Sequence, residues 1–314
     1  MELRDNVKGV DESTPFFANN HTFDQKCTFQ RYEYIPLDYV NLQLINCNSD
    51  DLMNNQNLIF SPVYESANLK YHYAKFKSVS FYIYESGTIQ IKGSLHKYYN
   101  QGIHNYNDFS KSAFLDVLNE FNSLFNIIPC QLKIVGLEYG INIEPPIKSD
   151  EIISNLIMHK KVEFENTINN TSGNYKQARH FDYILKIYNK SKQYNLMDEV
   201  IRIEIKQNNW REYRNLGIIT LQDFMDYDKR MFINNLILKW NDVLFYNPIN
   251  FKRDDIKKWH QYSNVQYWRN LKENSSNTTF AKHYKRLKDI NSNSCIDIQK
   301  YVEIKILDKI FQLE

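Results

Sequence analysis

The chain has few of the residues that mark fibrous, extracellular or membrane proteins. Glycine and proline number only 8 and 7 among 314 residues, which excludes a collagen-like or low-complexity chain. The four cysteines lie far apart and form no C-x-x-C pair, so neither a zinc ribbon nor a disulfide framework is expected. No apolar run is long enough to span a membrane, and residues 1–16 contain no apolar core of a secretory signal. These absences predict a cytoplasmic protein with no membrane partner.

What the chain does have is an ordinary globular composition with an uneven distribution of charge. Hydrophobic residues make up 42% and charged residues 24% of it, which is enough for a folded core. The formal net charge is +2, yet the segment from Lys252 to Lys288 holds ten basic residues and three acidic ones. This segment therefore carries +7 and the rest of the chain −5. A basic segment on an acidic body predicts contact with a polyanion.

The spacing of apolar residues predicts strands that are separated by helices. Residues 78–93 have the pattern of a hairpin, and residues 132–143 and 200–206 alternate as half-buried strands do. Helices are predicted from Ser110 to Pro129, over 150–160 and within 221–246. No glycine-rich phosphate loop joins a strand to a helix. The sequence therefore predicts an α+β fold, in which one antiparallel sheet has helices packed on one face and a basic helical C-terminal segment follows.

The same patterns divide the chain into three parts. Residues 1–30 are polar and irregular, and we expect a weakly ordered N-terminal arm. Residues 31–246 hold the predicted strands and helices of the α+β core. Residues 247–314 form the predicted basic helical tail.

Two glutamates on the predicted strands could share one face of the sheet. Glu138 and Glu204 each lie on the side of their strand opposite the apolar residues. If the two strands are neighbours, both carboxylates point to the same open face, as the ligands of Mg²⁺ or Mn²⁺ would. His96, which directly follows the hairpin, could face them as a ligand or proton carrier, whereas His104 is expected in a loop. The alternative is the exposed polar face of a half-covered sheet.

Several short elements stand in a fixed order between residues 78 and 225. They are GSLHKYYN from Gly93, LEYGINI from Leu137, Tyr188-Asn189-Lys190, Arg202-Ile203-Glu204-Ile205 and Thr220-Leu221-Gln222-Asp223. Together they resemble the replication-initiation proteins of filamentous phages and rolling-circle plasmids. The chain departs from the family pattern in lacking a His-x-His pair and at three positions, Gly136, Glu138 and Asn189.

The resemblance implies metal-dependent, site-specific nicking and joining of DNA through a phosphotyrosine intermediate. The pKa of tyrosine is about 10, so Mg²⁺ or Mn²⁺ would help the phenolate to form. The family's nucleophile precedes the Y-D-K strand, which favours Tyr175, with Tyr188 and then Tyr183 as alternatives. The remaining roles that the resemblance and the charges imply are metal binding by Glu138, Glu204 and His96, catalysis by Lys190, and phosphate contact by Lys97, Lys190 and Arg202.

The expected partner is origin DNA, as a hairpin or a single strand, in the cytoplasm of a bacterial host. A host helicase and a second copy of the chain are further expected partners. Tail residues predicted to contact DNA are Lys257, Lys258, Arg269, Lys282, Lys285 and Arg286, with Trp and Tyr residues between them to stack on bases. Alternatively, the tail is amphipathic and packs on the body with its lysines in water.

Two other classes of protein remain open at this stage. One is a DNA-binding repressor or accessory factor that keeps the fold without nicking, which the departures at Gly136, Glu138 and Asn189 favour. The other is a structural or RNA-binding protein whose Tyr and Asn content reflects base composition alone. Neither of these proteins would need a metal.

Overall fold

A computed structural model of the protein describes residues 34–166, 175–248 and 256–311. The predicted N-terminal arm, residues 1–30, lies outside these ranges. Within them the chain forms two β-sheets, a short 3₁₀ turn at Pro129–Gln131 and a series of α-helices. No helix in these ranges is long and apolar enough to cross a membrane.

Groups of strands and groups of helices alternate along the described part of the chain. The strands are β1 Leu37–Leu44, β2 Ser61–Glu65, β3 Asn68–Phe76, β4 Val79–Tyr84, β5 Ile89–Ser94, β6 Leu132–Ile143, β7 Leu156–His159, β8 Val162–Glu163, β9 Glu165–Asn166, β10 Tyr175–Arg179, β11 Tyr183–Asn189, β12 Ile201–Gln207 and β13 Val243–Phe245. The helices are α1 Ser49–Met53, α2 Leu95–Tyr99, α3 Lys111–Phe125, α4 Ser149–Ser154, α5 Lys190–Tyr194, α6 Arg211–Asn215, α7 Leu221–Asp226, α8 Arg230–Asn241, α9 Ile256–Ser263, α10 Val265–Asn274, α11 Asn277–Ser292 and α12 Ile298–Phe311.

Ten of the described strands form one antiparallel sheet, which confirms the predicted fold class. Their order across the sheet is β2-β3-β4-β5-β1-β6-β12-β11-β10-β9. Strands β6 and β12 are neighbours in the centre of this sheet. This is the condition under which the sequence predicts that their glutamates share one face. A smaller sheet has the order β13-β7-β8.

Helices cover the apolar face of the large sheet. Phe125 of α3 packs on Phe81 of β4 with ring centroids 5.0 Å apart, and Phe232 of α8 packs on Tyr139 of β6 at the same distance. Buried and half-buried side chains alternate along β4 because every second residue points to this face. The opposite face carries the polar residues and holds the candidate site.

Gly140 lets the two central strands approach each other on the polar face. A Cβ atom at this position would lie 2.4 Å from the carbonyl oxygen of Ile203 and 2.9 Å from the Cβ of Glu204. The Gly140 carbonyl also accepts a hydrogen bond from the buried Tyr34 hydroxyl at 2.6 Å. The glycine therefore makes room for the side chain of Glu204.

The C-terminal segment is helical, as predicted, and packs on the body. Trp268 of α10 is fully buried in a cluster with Met158 of β7 and Leu244 of β13. The Trp240 indole of α8 donates to the Gln299 carbonyl of α12 at 2.8 Å. These elements belong to one compact unit, residues 32–314, and the predicted boundary at residue 246 stays a prediction.

The prediction of a helix over 150–160 is wrong in its second half. Helix α4 ends at Ser154, and residues Leu156–His159 form β7 instead. This short apolar strand pairs with β13, which follows it by more than 80 residues, so no local pattern could reveal the partner.

Candidate active site

Three neighbouring strands direct charged side chains to the polar face of the sheet. In the register of β6, β12 and β11, Glu204 lies opposite Gly140 on one side and Lys186 on the other. Glu138 is two residues from Gly140 and shares its face. Glu138 and Glu204 therefore point to the same side, as the alternation of the sequence predicts for neighbouring strands.

The ammonium group of Lys186 lies between the two carboxylates. Its Nζ is 2.6 Å from Glu138 Oε2 and 3.1 Å from Glu204 Oε1. Lys206 contacts the other oxygen of Glu138 at 3.2 Å from a more exposed position. Burial and the nearby Glu204 charge raise the pKa of Glu138 to about 7 despite Lys186. Although burial opposes it, the charges of Lys186 and Arg202 hold the pKa of Glu204 well below its usual range.

Arg202 joins Glu204 to a third carboxylate beneath the open surface. Its Nε donates to Glu204 Oε2 at 2.8 Å, and its Nη2 lies 3.3 Å from Asp38 Oδ2. Its Nη1 donates to Asn142 Oδ1 at 3.1 Å. Its side chain is only 2% exposed, so its predicted phosphate contact stays a prediction that would require these bonds to open.

Sequence reasoning missed Asp38 and Lys186. Asp38 lies where the register of β1 against β6 shifts between Leu37 and Val40, an irregularity that no local sequence signal marks. Lys186 could have been found, because it alternates with the buried residues Leu185 and Ile187 and so shares the face of Glu204.

A buried lysine and asparagine lie beside this ion network. Lys190 Nζ donates to Asn105 Oδ1 at 2.6 Å and lies 5.0 Å from the centre of the Tyr188 ring. The Asn105 amide in turn donates to Asp38 at 2.5 Å. Burial is the largest cause that lowers the pKa of Lys190 to about 7, and Arg202 adds to it. The buried surroundings of this predicted catalytic lysine therefore favour its uncharged form.

The three candidate tyrosines lie in different surroundings. Tyr175 pairs with Tyr188 across β10 and β11, with ring centroids 5.6 Å apart, so both are on the polar face. The hydroxyl of Tyr188 donates to Glu204 Oε2 at 3.1 Å, whereas the oxygen of Tyr175 lies 2.7 Å from the Gln177 amide. Tyr183 lies on the other face, where it stacks on His180.

The Gln177 amide is oriented by Arg179. With its oxygen accepting from Arg179 Nε at 2.9 Å, its nitrogen donates to the Tyr175 oxygen. A donor at this position stabilises a phenolate. Burial nevertheless raises the pKa of Tyr175 to about 12, although the charge of Lys186 lowers it.

The predicted histidine ligand does not contact the two glutamates. His96 Nε2 lies 2.8 Å from Asn107 Oδ1, and its ring stacks on Phe109 at 4.8 Å. Burial is the main cause that lowers its pKa to about 4. In the described part of the chain, no group of three or more His, Cys, Asp or Glu side chains is arranged to hold a metal ion. His104 lies in a loop, as expected, and its ring stacks on Tyr106.

The donor set does not fit a divalent cation as it stands. All four carboxylate oxygens of Glu138 and Glu204 contact cationic nitrogens: two contact Lys186, one contacts Lys206 and one contacts Arg202. An Mg²⁺ or Mn²⁺ ion needs such oxygens as direct ligands. The metal site therefore stays a prediction, and it would require Lys186 to move away.

A cleft of about 520 Å³ opens above these residues. It is lined by Tyr175, Lys186, Lys190 and Glu138 among others, and also by the predicted DNA contact Lys97. The volume lies in the range of pockets that enclose small ligands, roughly 300–1,000 Å³. The cleft thus has room for about one nucleotide unit beside the Tyr175 oxygen.

The tail residues that were predicted to contact DNA differ in the contacts that they make within the protein. All six are exposed: Lys257, Lys258, Arg269, Lys282, Lys285 and Arg286. Arg269 forms a two-bond pair with Glu163, with both nitrogen–oxygen distances 2.7 Å. Trp268 and Tyr262 are buried in the core and cannot stack on bases, which favours the alternative of a packed amphipathic tail for these rings.

We expect the cations of α11 to contribute to DNA binding through phosphates only. Replacing Lys282, Lys285 and Arg286 together with serine should weaken binding equally for different sequences. The slope of log affinity against log salt should fall by about 2–3, since each lost phosphate contact removes nearly one. Arg269→Ser is the matched control, because its guanidinium already pairs with Glu163. An unchanged slope in a filter-binding titration would remove α11 from the DNA surface.

Comparison with known proteins finds no match in sequence and a weak similarity in structure. No model of a known protein family matches the chain, and no curated protein sequence matches it. Among solved structures, the chain is similar to the rolling circle replication initiator protein from Geobacillus stearothermophilus at 11% identity. The match covers 79% of this chain and 96% of that chain, with a TM-score of 0.40. At this level, site residues cannot be carried from one chain to the other.

Proposed function

We propose that this protein initiates rolling-circle DNA replication by nicking and rejoining one DNA strand, with Tyr175 as the nucleophile. The observation that carries the proposal is the position of Tyr175 in the cleft. Its oxygen lies beside the Gln177 amide, and Lys186 lies close enough to lower its pKa. The order of sequence elements that resembles replication-initiation proteins supports the same reaction.

The proposed step is a transesterification at phosphorus. The Tyr175 oxygen loses its proton to water and forms a bond to phosphorus, and the bond from phosphorus to the 3′ oxygen breaks. The 3′ oxygen takes up a proton and becomes the primer terminus, while the 5′ phosphate stays on the tyrosine. The phosphodiester energy is kept in the covalent link, so the reverse attack by a 3′-hydroxyl rejoins the strand.

The surroundings of the other tyrosines support the choice of Tyr175. Tyr188 donates to Glu204, and burial and this carboxylate raise its pKa well above the usual value. A phenolate at Tyr188 would face a buried carboxylate at hydrogen-bonding distance. Tyr183 lies on the opposite face of the sheet, where helices pack. Tyr175 alone combines a cleft position with a neutral hydrogen-bond partner.

The test is the formation of a covalent adduct. Purified protein is incubated with supercoiled plasmid and with a labelled single-stranded origin-like oligonucleotide, with Mn²⁺ and with EDTA. Wild-type protein should give an SDS-resistant protein–DNA band, and Tyr175→Phe should give none. Tyr188→Phe is the matched control, since it removes the neighbouring hydroxyl and should keep the band. A band that persists in Tyr175→Phe would transfer the role to Tyr188.

The second candidate is a DNA-binding protein on the same fold that does not nick. What favours it is the raised pKa of Tyr175, about 12, together with cations that already occupy the carboxylates. Such a protein would give no covalent band with any DNA while still binding in a salt-dependent way. In either case we propose bacterial cytoplasm as its location, and a host helicase and a homodimer stay predictions.

A further inference from the structure

Four tyrosines form a continuous row on the polar face of the sheet, near the edge away from Tyr175. Tyr71 and Tyr73 of β3 lie directly opposite Tyr84 and Tyr82 of β4. The Tyr71–Tyr82, Tyr73–Tyr82 and Tyr71–Tyr84 ring centroids are 5.2, 5.4 and 5.5 Å apart. All four rings are partly exposed, whereas Phe81, on the opposite face of β4, is fully buried. We call these four residues the tyrosine row.

The charge around the tyrosine row is positive. Lys92 of β5 places its Nζ 5.1 Å from the centre of the Tyr82 ring, and the exposed Lys75 lies opposite Ser80. Strands β3, β4 and β5 direct no carboxylate to this face. None of these three strands contains an aspartate or a glutamate.

The same face connects the tyrosine row with the candidate active site. Tyr39, Lys92, Lys206 and Glu138 line one shallow depression of about 270 Å³ between them. Lys206 Nζ lies 6.0 Å from the centre of the Tyr39 ring. Glu138 and Tyr39 also line the cleft that contains Tyr175. An extended ligand that lies on the tyrosine row can therefore reach the cleft along the surface of the sheet.

We propose that the tyrosine row with Lys92 binds single-stranded DNA by stacking its bases. Partly exposed rings beside cations fit unpaired bases, because every base offers an aromatic face and every linkage a negative charge. Bases inside a duplex are already stacked on each other, so their faces are not free to stack on these rings. A further role of the tyrosine row, which rests on the proposed function, is to hold the single DNA strand that enters the cleft.

The test is the affinity for a fluorescent oligothymidine of about 15 nucleotides, measured by anisotropy in EDTA so that metal-dependent cleavage is excluded. Tyr73→Leu and Tyr82→Leu should each weaken binding at least about five-fold, because each removes one stacking surface. Tyr301→Leu is the matched control, since Tyr301 of α12 also carries a lysine, Lys305, 5.5 Å from its ring centre but lies outside the sheet. It should bind like wild type.

Folding is checked by comparing urea unfolding midpoints, and Lys92→Met gives a second measurement with little change to the strands. This variant should lower the slope of log affinity against log salt by about 0.7, the value for one phosphate contact on a single strand. Equal affinities of wild type, Tyr73→Leu and Tyr82→Leu would overturn the proposal. An equal loss of affinity in Tyr301→Leu would overturn it too, because the effect would not be specific to the row.

This result and the adduct test fail independently. If the wild type forms no covalent adduct but loses single-strand affinity in the row variants, the tyrosine row stands and the nicking proposal fails. If the adduct forms and the row variants bind as the wild type does, nicking stands and the tyrosine row fails. A matching duplex that binds as tightly and depends equally on Tyr73 and Tyr82 would overturn stacking on unpaired bases.

Discussion

Replacing Arg202 with methionine is expected to lower the free energy of unfolding by about 3–5 kcal/mol. The guanidinium is 2% exposed and contacts Glu204 and Asp38, which are also almost fully buried. Removing it takes the guanidinium away from Asp38 and leaves Glu204 with Lys186, although both carboxylates stay almost fully buried. Urea unfolding followed by circular dichroism measures the loss, and no soluble protein at all would be the extreme of the same result.

The matched control is Lys206→Met, which removes a cation from the outer side of Glu138. Lys206 is 42% exposed, and exposed ion pairs contribute only about 0–1 kcal/mol. A variant that combines Arg202→Met with Asp38→Asn and Glu204→Gln should recover much of the loss, since no unpaired charge stays buried. If Arg202→Met and Lys206→Met were equally stable, the buried network would not be a stabilising feature of the fold.

The strands of the centre of the sheet were predictable because one of their faces is apolar and the other is polar. Strand β6, predicted over 132–143, spans Leu132–Ile143, and β12 lies within one residue of its predicted bounds. The hairpin of β4 and β5 and the Ser110 cap of α3 follow from equally local signals. Alternation and capping are properties of a few consecutive residues, so the sequence displays them directly.

The hairpin of β2 and β3 was not predicted. It lies at one edge of the sheet, and its polar residues made the region resemble a loop. Yet Tyr71, Tyr73 and Lys75 occupy every second position of β3, so their side chains share one face, as the tyrosines of β4 do. The tyrosine row was therefore visible in part from the sequence, although its partner strand and the orientation of its face were not.

The sequence predicted that Glu138 and Glu204 share one face, but it did not predict the ion pairs that they form. Alternation places Glu138 and Glu204 on one face, whereas the contacts of Arg202 depend on Asp38, which is 164 residues away in sequence. The position of Asp38 in turn depends on a register shift between β1 and β6. Long-range pairing of this kind decides whether a charged residue faces solvent or another buried charge, and a single sequence does not encode it in any local pattern.

Replacing Lys186 with methionine is expected to convert the carboxylate pair into a divalent-cation site. In the wild type, the ammonium lies 2.6 Å from Glu138 and 3.1 Å from Glu204, in the place that a bound ion would need. Without it, the two carboxylates repel each other, and the free energy of unfolding should fall by about 3–5 kcal/mol in EDTA. Oxygen ligands this close together on a rigid sheet then favour Mn²⁺.

The measurement is urea unfolding of wild type and variant, each in EDTA and in 1 mM Mn²⁺. An affinity of about 10 μM in the variant would restore about 2.7 kcal/mol at this concentration, whereas the wild type should be unaffected. Lys206→Met is again the control, because its ammonium does not lie between the carboxylates. If Mn²⁺ stabilised the wild type as strongly as Lys186→Met, the ion would bind with Lys186 present in the protein. That result would support the metal site predicted from the sequence, and it would mean that the Lys186 side chain leaves the carboxylates whenever the metal is bound.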